Sequence, residues 1–220
     1  VNESTDERQM FKIGAQWPRI VKRKEVSGGE YLTGYLYELQ NTNLILWSEN
    51  FNATGSWTLG NSNITGSSTV TPCTAVTSSG ITPNNSSSLH WLQQAPIVLT
   101  GAPTVFTFSA FAKKGSQNFI TLQMNHTGSS FAYSFDLNNG TTGSLISGTL
   151  EPYIENYGNG WYWCGISFTG SVNSYTASLF SSTDAINSQY AGDSVTTGTY
   201  IWATHVHAYR SPVGYFKTLA

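Results

Sequence analysis

From residue 39 onward the chain is written as short segments in which apolar and polar residues alternate, each closed by a cluster of Gly, Asn, Ser or Pro. Side chains alternate across a β-strand with a period of two, whereas an amphipathic helix repeats about every 3.6 residues, so this pattern favours strands almost exclusively. Strands are expected at Leu44–Trp47, Trp57–Leu59, Leu89–Gln93, Thr104–Ala112, Phe119–Asn125, Phe131–Asp136, Ser144–Leu150, Trp161–Thr169, Ser174–Phe180 and Thr199–Ala208. Their number and spacing, with turn signals such as the Asn- and Gly-rich "DLNNGTTG" of 136–143, predict an all-β, two-sheet antiparallel sandwich, a jelly roll. A chain of 220 residues has room for one such domain.

Charge divides the chain in two. Residues 1–38 hold more than half of its charged side chains and read as an extended N-terminal arm or connector; 39–220 is the sandwich. Within the arm, the basic run Lys22, Arg23, Lys24 suits either a phosphate or acidic neighbour, or the solvated face of a linker. Charged residues make up 10% of the whole chain, against about 25% in ordinary soluble domains. A net charge of −2 supplies no field that would gather nucleic acid or an anionic membrane surface. No apolar run approaches the length of about 18 residues that membrane insertion needs. The chain begins with Val1, as a processed protein or a piece of a longer one does.

Offset along a strand decides which face a residue takes. In Trp161–Phe168 the set Tyr162, Cys164, Ile166, Phe168 is uniformly apolar and is assigned to the core; Trp161 and Trp163 then point the other way. Phe106, Phe108, Ala110, Ala112, Ile120, Leu122 and Met124 read as core by the same rule, leaving Phe119, Thr121, Gln123 and Asn125 outward. Sugar rings offer C–H faces to aromatic planes and hydroxyls to amides, so Trp161, Trp163, Phe119, Gln123 and Asn125 are the candidate carbohydrate-binding residues. A competing reading covers both indoles with a loop, the arm or a neighbouring chain. Trp57 and Trp91 are assigned to packing.

Other chemistry is sparse. His205 and His207, two apart on the last strand, have zinc-chelating spacing but no identifiable third ligand, and a half-exposed polar face is the plainer reading. Cys73 and Cys164 read as buried thiols or a single disulfide. The sequons at Asn52, Asn63, Asn125 and Asn139 are what an Asn- and Thr-rich chain produces by chance. After residue 50 the acids are Asp136, Glu151, Glu155, Asp184 and Asp193, with no convincing pair at the spacing of about 5 to 9.5 Å that glycoside hydrolysis requires. With no nucleophile elbow or phosphate loop either, no enzyme is expected.

Five segments in order carry a family resemblance: "TGYLYELQNTNLILWSENFNATGSW" (33–57), "TVFTFSAFAKKG" (104–115), "YSFDLNNGTTG" (133–143), "IENYGNGWYWCGISFT" (154–169) and "YIWATHVHAYRSPVGYFKT" (200–218). Together, over about residues 16–218, they resemble a domain of bacteriophage tail-fibre and other virion proteins that is similar to carbohydrate-binding jelly rolls. Trp163 stands where that pattern has Arg, and His207 where it has Glu. The resemblance implies a virion module that adsorbs to host-surface glycans, assembled as a homotrimer and joined to other virion proteins through its arm. Its rival is a structural decoration or connector protein without a glycan ligand. No cofactor is expected; should a calcium ion bind, as jelly rolls of this shape often allow, Asp184, Asp193 and Glu49 are the candidate ligands.

Overall fold

The computed structural model describes residues 19–24, 31–36, 43–52, 55–72, 77–99, 104–171 and 173–208. They form β1 (Arg19–Lys24), β2 (Tyr31–Leu36), β3 (Thr58–Gly60), β4 (Ser62–Val70), β5 (Thr77–Pro83), β6 (His90–Leu99), β7 (Thr104–Lys114), β8 (Phe119–His126), β9 (Ser129–Asp136), β10 (Thr141–Ser147), β11 (Leu150–Asn156), β12 (Trp161–Gly170), β13 (Asn173–Ser182) and β14 (Thr199–Ala208). Where an extended arm is expected, β1 and β2 pair antiparallel as a two-stranded sheet. The remainder of that arm, and Cys73, lie outside the described residues.

Two six-stranded antiparallel sheets make the sandwich, in the orders β10-β9-β8-β13-β6-β3 and β11-β12-β7-β14-β5-β4. Their central strands interleave as a jelly roll does: β5-β14-β7-β12 in one layer against β6-β13-β8-β9 in the other. For brevity the sheet containing β12 is the ring sheet and the one containing β8 is the open sheet. The core between them follows the alternation: Phe106, Phe108, Ala110 and Ala112 of β7 and Cys164, Ile166 and Phe168 of β12 share one buried cluster with Ile120, Leu122 and Met124 of β8. Phe168 joins the layers, stacking on Phe131 of β9 at 4.5 Å and lying 6.1 Å from Tyr175 of β13. Each such large apolar side chain stabilises the fold by about 1.5–3 kcal/mol on burial. Cys164 is a free, buried thiol.

Three departures from the alternation have local causes. Leu44–Trp47, expected as a strand, has no ladder; instead Leu44 N donates to Val206 O and Thr204 N to Ser48 O, beside a break in the β14–β7 register between Trp202 and His205. The extra residue there, with Ala203 at φ 54°, lets Trp202 and His205 both face outward although they are three apart. The segment expected at Ser144–Leu150 is two strands, β10 and β11, divided by Gly148 at φ 79°. The strands β4 and β5, rich in Ser, Thr and Gly, carry too weak an apolar rhythm to be read from sequence.

Gly165 of β12 pairs with Tyr153 of β11, and a Cβ added there would come within 2.1 Å of the Tyr153 ring and hydroxyl. Gly165→Ala is therefore expected to displace that ring and cost about 1–3 kcal/mol in chemical denaturation, with the sandwich retained by far-UV circular dichroism.

Candidate functional site

The strand register places Trp161, Trp163, Phe111, Trp202, His205 and His207 on the back of the ring sheet, away from the core; alternation accounts for β7 and β12, and the extra residue in β14 brings Trp202 to the same face as His205 and His207. Their expected exposure is not what the structure has. Trp161 is 1% and Trp163 7% exposed. The Trp163 indole lies parallel to Phe111 (centroids 5.5 Å apart, planes at 6°) with Tyr153 and Tyr157 each edge-on at 6.0 Å. Trp202 adds a tilted ring 5.1 Å from Phe111, and Trp161 Nε1 donates to Val70 O at 2.9 Å. These rings form a second buried cluster on the far side of the sheet, and no indole face there is open to a sugar. Trp161 packs its aromatic body while its one polar atom is satisfied, as a buried tryptophan ordinarily does.

His205 and His207 follow the same correction: both are fully buried, with ring centroids 4.6 Å apart, where a half-exposed face is expected. Their rows run across the sheet through Ser109 and Gly165, and through Thr107 and Ser167, whose hydroxyls meet at 2.8 Å. Burial, with the His207 imidazole adding to it, pushes the His205 pKa down to about 3. No cluster of three or more His, Cys, Asp or Glu that could hold a metal occurs among the described residues.

The opposite outer surface, the back of the open sheet, is built differently. Phe119, Gln123 and Asn125 of β8 lie there, so the five candidate carbohydrate-binding residues are divided between two faces of the molecule. One row across the strands reads Thr58, Gln93, Ser178, Gln123, Ala132, Ser147; the next reads Gly60, Trp91, Phe180, Thr121, Ser134. Gln93 and Gln123 stand two strand spacings apart, about 9.6 Å, either side of Ser178. Phe119 and Trp91 are half-exposed, as are both Gln side chains, and Asn125 is exposed. Trp91, assigned to packing from sequence, thus supplies an accessible ring; a Cβ on Gly60 would come within 1.9 Å of its indole. Alternation in "HWLQQ" carried this signal, masked because the inward set His90, Leu92, Gln94 is itself mostly polar.

Hydrogen bonds knit this face without charge. Gln123 Nε2 donates to Ser130 Oγ at 3.1 Å, and Ser130 and Ser147 hydroxyls meet at 2.9 Å. Buried beneath the larger side chains, the Thr121 and Ser134 hydroxyls have no partner. At the rim, Asp136 turns its carboxylate into the hairpin, accepting from Asn138 N and Asn139 N. Two further aspartates are similarly engaged: Asp184 accepts from Ile186 N and Ser188 N, and Asp193 from Val195 N and Thr196 N. Asp184, Asp193 and Glu49 are not brought together as a metal cluster.

No family model matches the sequence, and no curated protein does. Among solved structures, the chain is similar to the enzymatically active domain of tailspike protein 4 of bacteriophage CBA120, at 14% identity and TM-score 0.43 over 75% of this chain and 21% of that one. It is also similar to the carbohydrate-binding module TmCBM27, described for specific mannan recognition, at 6% identity and TM-score 0.37 over 79% and 97% of the two chains. The chain spans about a fifth of the tailspike structure's length. The jelly-roll assignment stands on the strand order itself.

Trp163→Ala is expected to remove a packed core element and lower unfolding stability by about 3–5 kcal/mol in denaturant titration. Because His205 is neutral when folded but takes up a proton below about pH 6.5 when unfolded, stability is fully present above that pH and declines as pH falls from about 6.5 toward 3. The slope is up to about 1.4 kcal/mol per pH unit, and His205→Gln should flatten this decline in denaturation midpoints measured across the window.

Proposed function

We propose that this chain is a non-enzymatic virion module that binds neutral host-surface glycans on the back of the open sheet. The observation that carries the reading is an uncharged face bearing half-exposed Trp91 and Phe119 around the amides of Gln93, Gln123 and Asn125. Rings can stack on the C–H face of a pyranose, much as aromatic platforms stack bases, while amides and hydroxyls donate to and accept from sugar hydroxyls. The resemblance to phage tail-fibre modules supports placement on a phage particle where it meets its host, as a homotrimer. Against catalysis, Glu151 and Glu155 lie four residues apart on β11, about 13 Å between Cα atoms, a wide base for carboxylates that glycosidases hold about 5 to 9.5 Å apart.

A second reading, a decoration or connector protein, is favoured by one observation: β1 and β2 form a sheet of their own. An isolated hairpin is marginal in water, so this element is suited to dock on another virion protein through the arm. The two roles are compatible, since they use different parts of the chain.

A glycan array probed with the full chain tests the first reading. Binding to a neutral host glycan should fall about tenfold or more in Trp91→Ala, with the melting curve little changed, and should vary less than about twofold between low and high salt. Glycan binding that is unaffected by Trp91→Ala, or none across the host's glycans, overturns it.

A further inference from the structure

The connection between β13 and β14, residues 183–198, has 16 residues and no strand of its own. Loops beyond about 12–15 residues without secondary structure are uncommon in compact domains and are either functional or disordered. This one is fixed along its length. The Asp184 carboxylate caps its first turn, and Tyr190 exchanges backbone hydrogen bonds with Ser88 while its hydroxyl donates to Ser181 O. His90, buried in β6, places Nε2 2.7 Å from Tyr190 O. Further on, Gly192 N donates to Asn84 O, Ser194 N to Pro83 O and Gly198 N to Ile81 O. Facing it, the turn after β7 is bound backbone to backbone: Gly115 N and Gln117 N donate to Gly198 O, and Ser116 N to Thr197 O.

These fixed segments border an open surface cleft of about 270 Å³ between Pro83, Ser116 and Gln117 on one side and the 191–196 turn on the other, with Ser116, Ala191, Asp193 and Thr196 exposed. Its walls cannot be built with ordinary side chains throughout, since a Cβ on Gly192 would lie 2.5 Å from Pro83. The polar groups lining it are the Gln117 amide, which donates to Ser116 Oγ, and the Thr196 hydroxyl, which donates to the Asp193 carboxylate, each pair keeping lone pairs toward the cleft, with Pro83 and Ala191 as apolar surface. The Thr196 hydroxyl and backbone amides of the turn hold the Asp193 pKa down to about 2, so the cleft carries a fixed negative charge. A carboxylate accepts from vicinal hydroxyls, a primary amide donates and accepts, and an anionic ligand is repelled. The volume lies just below the usual range of about 300–1,000 Å³ for ligand pockets, room for one ring rather than a chain.

We propose that this cleft is a second saccharide site, which takes a single neutral pyranose unit or chain end. It rests on the same ligand class as the proposed function but on a different surface, at one end of the sandwich.

The test is a ¹⁵N–¹H chemical-shift titration of the full chain with methyl glucopyranoside, galactopyranoside and mannopyranoside, and with glucuronate as the charged control. The expected result is saturable shifts of the Ser116, Gln117, Gly192 and Thr196 amides with at least one neutral sugar and none with glucuronate. Affinity should fall about tenfold in Gln117→Ala and be retained in Trp91→Ala. Shifts confined to β6 and β8 and lost in Trp91→Ala overturn the cleft site and leave the open-sheet reading intact. Cleft shifts with glucuronate equal to those with neutral sugars, cleft binding unchanged in Gln117→Ala, or no shift at these amides with any sugar, also overturn it.

Discussion

The parallel stack of Phe111 on Trp163, with Tyr153, Tyr157 and Trp202 around it, determines how the rest of the molecule is used. A sandwich ordinarily buries one face of each sheet and leaves the other to water. Here the central strands of the ring sheet, β12, β7 and β14, are buried on both faces, by the central core on one side and by this second cluster on the other. Such a sheet is a scaffold: its outward hydroxyls and imidazoles are enclosed along with its indoles, and His205 is held neutral as a result. Among the described residues, the half-exposed Trp91, Phe119, Gln93 and Gln123 lie on the open sheet.

The two layers consequently differ in kind. On the open sheet, small hydroxyl residues such as Ser178, Thr121 and Ser134 lie low between strands while Trp91, Phe119, Gln93 and Gln123 stand at intermediate exposure around them. Uncharged amides lose less on partial desolvation than ions do, so this face can meet a neutral polyol without the cost of stripping water from charges. The cleft beside the 183–198 loop continues the same chemistry at one end, with the single carboxylate of Asp193 added and its conformation fixed in advance. Rigid presentation lowers the entropic cost of binding.

Much of the fold was legible because side-chain alternation is a strong constraint when one face must be dry. The strand Thr199–Ala208 has the boundaries its pattern predicts, and in β12 Tyr162, Cys164, Ile166 and Phe168 take one face and Trp161 and Trp163 the other, as parity assigns. Parity gives direction and says nothing of cover, so it puts Trp161 and Trp163 on the outer face and leaves open the choice between exposure and the covered reading, which is the one their burial matches. Polar strands such as β5 were illegible because their hydrogen bonding, not apolar rhythm, holds them in the sheet. The outward position of Trp91 is hard to read for the complementary reason: His90 and Gln94 face inward to bind loop backbone, so the inward set does not look like a core.

Hydrogen–deuterium exchange of the full chain, with and without a bound host-surface oligosaccharide, tests open-sheet recognition most directly. Protection should rise in peptides covering β6, β8 and β13. Protection confined to β7, β12 and β14, behind the buried rings, contradicts it.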